Sequence, residues 1–174
     1  MDNSIIFTSS LKISQDLKMN ESTLSWVSNA YTITFGGFLL LAGRLGDLLG
    51  RKIIFLLGLF IFGFSSLVVG LSTSSEMMII ARAVQGIGSA ILAPTSLALL
   101  MDTYKGDLRV RAISYYGATA GIGSSFGLIL GGWLTSALSW RVGFLLNVPF
   151  SLLLIILTPV SYTHLRAHET RHDL

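Results

Sequence analysis

The sequence has no cysteine, which excludes a disulfide framework and a thiolate metal site. It is also poor in charge. Asp, Glu, Lys and Arg make up 12% of its 174 residues, about half of the ~25% that a soluble domain carries on its water-facing surface. The net charge is only +3, and the basic residues sit in short connecting segments. That placement points to membrane orientation and away from a nucleic-acid partner. Histidine is confined to His164, His168 and His172 at the end of the chain.

Apolar length fills the space that charge leaves. Hydrophobic residues make up 52% of the chain and the mean hydropathy is +0.70. The runs from Ser22 to Gly43, Ile53 to Ser75, Ala83 to Met101, Ala112 to Trp140 and Val142 to Thr163 contain no Asp, Glu, Lys or Arg. Each is near or above the ~20 residues that cross a hydrocarbon core of about 30 Å. A shorter apolar piece, Asn3 to Leu11, is too short to span and reads as the second half of a first helix. Asp2 stands where a signal peptide would carry a basic region, and no small-residue cleavage site follows. The expectation is an all-α membrane protein with helices over approximately 2–17, 22–43, 53–75, 79–101, 112–136 and 142–160, the first of them truncated.

Two connections carry the basic residues. Arg44, Arg51 and Lys52 occupy one, and Lys105, Arg109 and Arg111 occupy the other. The intervening connections hold little beyond Lys18 and Arg141. The positive-inside rule therefore places both basic connections, and the N-terminus with them, in the cytoplasm of a multi-pass cell-membrane protein. Residues 161–174, SYTHLRAHETRHDL, change composition abruptly and are expected to be a non-native tail. The i, i+4 spacing of the three histidines there could place them on one helix face. No metal site is expected of them, and no cofactor is expected elsewhere.

Several motifs stand out of this apolar background. Gly43, Gly46, Asp47, Gly50, Arg51 and Lys52 fall in one short segment at a membrane boundary. There Gly46 and Gly50 permit a tight turn, and Asp47 can pair with Arg51 or with a helix N-terminus. Arg82 precedes Gln85, Gly86 and Gly88 about one turn into a span. An intramembrane arginine is costly unless it snorkels to the headgroups or works. Gly117, Gly121, Gly123, Gly127, Gly131 and Gly132 lie on or beside small-xxx-small spacing, which suits close helix packing in lipid. Trp140 and Arg141 suit an interfacial anchor. Local physics does not account for Asn147 and Pro149 together.

The segment from Gly43 to Lys52 resembles the G-x-L-x-D-x-x-G-R-K signature of the major facilitator superfamily. Arg82, Gln85, Gly86 and Gly88 resemble its R-x-x-Q-G-x-G pattern. Gly123, Gly127, Gly131 and Gly132 resemble the antiporter motif G-x-x-x-G-P-x-x-G-G, with Leu128 in the proline position. Trp140 to Pro149 is similar to the W-R-x-x-F-x-x-N-x-P string of the fourteen-helix drug:proton antiporter branch. Asp2 to Ile6 resembles the middle of that branch's first helix. Together these matches cover roughly residues 2 to 150.

The resemblance implies an N-terminal six-helix bundle of a secondary active exporter, not an enzyme. Such an exporter moves small hydrophobic or cationic compounds outward against protons, through a site between two halves. The missing C-terminal half is the implied partner, and this fragment alone is expected to be inactive. Gly43, Gly46, Asp47, Gly50, Arg51 and Lys52 would form a gating loop, and Gly123, Gly127, Gly131 and Gly132 a packing seam. Asp2 and Arg82 are the implied proton-coupling pair. A carboxylate deep in the first helix favours its neutral form, and a nearby fixed cation favours release of the proton. A solute importer of the same superfamily and a non-transporting membrane scaffold or assembly subunit are the alternatives.

Overall fold

A computed structural model describes the backbone of residues 2–169 and the side chains of residues 5–158. Its regular elements are all helices: α1 (Asp2–Asp16), α2 (Glu21–Leu49), α3 (Arg51–Gly70), α4 (Ser75–Thr103), α5 (Gly106–Ala137), α6 (Trp140–Leu145) and α7 (Asn147–Glu169). The helix starts are written locally. Asn20, Ser74 and Ser139 accept hydrogen bonds from the backbone N–H of Thr23, Met77 and Arg141, each satisfying an orphan donor of the first turn. Glu21, Glu76 and Asp107 add negative charge at the positive ends of α2, α4 and α5.

Four stretches are long and apolar enough to cross a membrane: α2, α3, α4 and the run Trp140–Thr158. The 15-residue α1 is short of that length. The 32-residue α5 is long enough, but glycine, serine and threonine dilute its apolar character.

Two connections differ from expectation. The segment Arg44 to Lys52 is not an open loop, because α2 continues to Leu49 and only Gly50 breaks the helix, at φ +96°. Gly46 therefore makes no turn. It lies buried inside α2, where an added Cβ would meet Thr95 Cγ2 at 3.2 Å. The sixth span is also interrupted, at Leu146 between α6 and α7. Pro149 supplies the reason: it lacks the N–H that would bond the Leu145 carbonyl, and its ring crowds that same group.

α4 lies between α2 and α3, with α1 against α5 and α6, and α3 against α6 and α7. Backbone-to-backbone approach sets the tightest crossings. A Cβ on Gly86 would collide with the Tyr31 carbonyl of α2, and one on Gly88 would lie 2.8 Å from the Phe62 nitrogen of α3. The larger buried cluster gathers at the Trp140 end, with Ile5, Ile13, Val27, Met78, Trp140 and Phe144 among its members. Large apolar side chains elsewhere point outward, Leu40, Phe60, Ile80 and Ile129 among them. An exposed apolar surface on this scale is what a bilayer covers.

Candidate functional site

Arg82 is fully buried, so its guanidinium does not snorkel to a surface. Its placement follows from the crossing of α4 with α2. Nε donates to the Val27 carbonyl at 3.3 Å, and Nη1 donates to Gln85 Oε1 at 2.8 Å. Gln85 Nε2 in turn donates to Ser66 Oγ of α3 at 2.7 Å, and both residues are buried. The guanidinium lies 4.2 Å from the centre of the Tyr31 ring and 6.0 Å from that of Phe144. Ring quadrupoles stabilise a desolvated cation by about 2 kcal/mol, and the carbonyl oxygens supply further negative potential. The cation is thus held between α2, α3, α4 and α6. Gln85 belongs to this site through its amide. Gly86 and Gly88 belong to it by letting α2 and α3 approach α4 from two sides.

The second cluster lies at the opposite end of α4. Arg51 Nη2 pairs with Asp47 Oδ1 at 3.0 Å, and Nη1 pairs with Asp102 Oδ1 at 2.6 Å. Nη1 also approaches the Ala98 carbonyl at 3.5 Å. One guanidinium therefore ties the end of α2 to the end of α4 across the Gly50 break. The groups are partly exposed, so solvent screening keeps each pair weak. Gly43, Asp47 and Pro94 border a groove of about 560 Å³ beside this cluster. Gly50 shapes the turn, and Lys52 follows it on the first turn of α3.

The glycines of α5 divide into two groups. Gly127 and Gly131 are buried together with Thr135, and a Cβ on Gly131 would touch Ile5 of α1 at 3.1 Å. Gly132 lies near Thr8. Ser9 shares a hydrogen bond with Thr135, and Lys12 Nζ donates to the Thr135 carbonyl at the last turn of α5. By contrast, Gly117, Gly121 and Gly123 face open space. Asp2 opens α1, and its side chain lies outside the described residues. Its backbone stands one 15-residue helix away from Asp16, which is about 21 Å at 1.5 Å per residue. The side chains of His164, His168 and His172 also lie outside the described residues.

Sequence reasoning missed four participants. Asp102 was hidden inside a segment read for its basic residues, although it is the first charge after the apolar run of α4. Tyr31, Ser66 and Phe144 carry no charge and lie far from Arg82 along the chain, so only the packing of α2, α3 and α6 on α4 brings them in. At the other end of the bundle, Trp140 Nε1 donates to Asp16 Oδ2 at 2.9 Å. Arg141 Nη1 donates to the Ser72 carbonyl at 2.7 Å.

The Major Facilitator Superfamily profile matches residues 1–173. This chain belongs to the Major Facilitator Superfamily. The superfamily is one of transporters, not of enzymes. Among its relatives is the uncharacterized MFS-type transporter EfpA of Mycobacterium tuberculosis, 44% identical over 158 residues, which are 90% of this chain and 30% of EfpA. The cephamycin export protein CmcT of Amycolatopsis lactamdurans is 41% identical over 157 residues, 90% of this chain and 32% of CmcT. The puromycin resistance protein pur8 of Streptomyces alboniger is 39% identical over 158 residues, 90% of this chain and 31% of pur8. The chain thus spans about a third of the length of these superfamily members.

Proposed function

We propose that the chain is the N-terminal half of a proton-coupled exporter of hydrophobic or cationic compounds, of the fourteen-helix drug:proton antiporter branch. The observation that carries this reading is the buried, fully engaged guanidinium of Arg82. A cation held in the membrane at the expense of several helices' packing is a functional feature by default. The names of two relatives, an export protein and a resistance protein, favour outward transport over uptake. They also favour transport over a scaffold role, which would need no such cation.

In this reading Asp2 exchanges a proton for the substrate cation and Arg82 assists its release. Asp47 and Arg51 hold the gating end against the missing C-terminal half. The buried glycines Gly127 and Gly131 keep α1, which carries Asp2, in register with α5. The chain alone lacks half of the substrate pathway and does not transport.

The experiment uses the full-length parent protein in loaded vesicles across a series of imposed pH gradients. Asp2→Asn keeps the size of the side chain and removes the titrating group, so proton-driven export should stop. Arg82→Ala should shift the pH dependence of export upward. The double variant should resemble Asp2→Asn, because both changes act on one protonation step. Wild-type export by Asp2→Asn at every gradient would remove Asp2 from the mechanism.

A further inference from the structure

Away from the transport machinery, α3 and α7 enclose an apolar groove of about 230 Å³ lined by Phe60, Gly63, Phe64, Leu67, Val148 and Leu152. The groove has a structural cause. Gly63 meets Ser151 so closely that an added Cβ would lie 2.8 Å from the serine Cβ. Two small residues thus form a floor between larger walls. Phe60 and Phe64 stack at 6.2 Å and 12° to make one wall, and both are more than half exposed. The other wall is Val148, Leu152 and Ile155, and the same steps of four and three, the spacing of one helix face, continue beyond the groove through Leu145, which packs on Gly70, to Arg141. The Leu146 break does not disturb that phase, because Leu146 keeps α-region angles, φ −61° and ψ −28°.

We propose that this groove and Arg141 together form a seat for one phospholipid, with an acyl chain along the groove and the phosphate on the guanidinium. Arg141 Nη1 is engaged by the Ser72 and Gly70 carbonyls. Nε and Nη2 donate to no group among the described residues. The guanidinium lies 4.3 Å from the centre of the Trp140 ring, so it is held in place with part of its donor fork uncommitted. Such a fork matches the geometry of a phosphate.

Height agrees with this assignment. Arg141 stands seven residues before Val148, about 10 Å along the span at 1.5 Å per residue. That separation puts Arg141 in the headgroup region, roughly 5–8 Å thick per leaflet, when Val148 is in hydrocarbon. The acyl chain gains little by leaving the bilayer for an equally apolar groove. Selectivity therefore comes from the phosphate, and the occupant belongs to the leaflet on the Trp140 side.

The test is native mass spectrometry of the purified full chain in mild detergent, delipidated and then titrated with phosphatidylglycerol or with diacylglycerol of the same acyl composition. One phosphatidylglycerol should be retained and diacylglycerol should not. Arg141→Gln should weaken retention at least about tenfold, the loss of a charge-assisted hydrogen bond. Leu152→Trp, at the exposed rim, should block the groove and weaken retention as well, while Leu130→Trp on α5 should leave it unchanged. Should Arg141→Gln unfold by uncapping α3, Leu152→Trp carries the test. Equal retention by wild type and folded Leu152→Trp, or equal binding of the two lipids, would overturn the seat.

Discussion

Gly86 and Gly121 look alike in the sequence, each a glycine inside an apolar helical run, yet their surroundings are opposite. A Cβ on Gly86 points into the backbone of α2 at Tyr31, whereas Gly121 faces open space. Backbone cannot yield as a flexible side chain does, so Gly86→Ala should destabilise the chain by about 1–3 kcal/mol, the cost of overpacking. Gly121→Ala should be neutral or gain up to ~1 kcal/mol from helix propensity. Unfolding titrations of the purified chain in SDS measure both, and equal midpoints for the two variants would contradict the crossing geometry. The Tyr31 ring over Arg82 supplies a second prediction. Tyr31→Leu removes the quadrupole and should cost about 1–2 kcal/mol, while Tyr31→Phe keeps the ring and should lose less. The same titrations read the difference.

At the scale of elements, the C-terminal ends of α3 and α5 share a device. Their last carbonyls face the Trp140 end of the bundle, and each receives a cation from another helix: Arg141 at Gly70 and Ser72, Lys12 at Thr135. A cation at that end complements the helix dipole and satisfies acceptors that have no intrahelical donor. The sixth span has a different kind of interruption. Pro149 separates α6 from α7, which leaves α6 to pack Trp140 and Phe144 into the core while α7 continues beside α3. Pro149→Ala returns an N–H that can reach the Leu145 carbonyl, so α6 and α7 should join into one helix. Amide hydrogen exchange across residues 145–150 should then slow. Unchanged exchange would assign the break to packing of Phe144 and not to the proline.

For the molecule as a whole, the two basic connections lie at one end of the bundle. Arg51 is joined to Asp102 there, and Lys52 and Lys105 lie in the same two connections. Asp16, Trp140 and Arg141 lie at the other end. The charge asymmetry predicts that the basic end faces the cytoplasm. Cysteines introduced at Lys52 or Lys105 should resist an impermeant thiol reagent applied to intact cells, while one at Glu21 should label. The native chain has no cysteine, so any label reports the introduced residue alone. Labelling of the two basic connections from outside would reverse the orientation.

The helical class and the family were legible in residue order, because a bilayer demands long charge-free runs and the motifs keep fixed spacings. Turn signals were read less well. Gly46 stands in a glycine-bracketed segment that suggests a turn, but a single glycine in a run of good helix formers does not stop a helix, and only the left-handed backbone of Gly50 does. The two halves of the α5 glycine pattern could not be told apart either, since spacing is the same whether or not a neighbour is present. What tertiary structure alone decided is who meets Arg82. Its partners come from α2, α4 and α6, residues as distant along the chain as Val27 and Phe144, and α3 joins through Ser66 on Gln85. Aromatic rings and serine hydroxyls carry no charge pattern that would announce them. Sequence periodicity names the face of a helix, but the crossing of helices decides which faces meet, and here backbone contact at Gly86 and Gly88 sets that crossing.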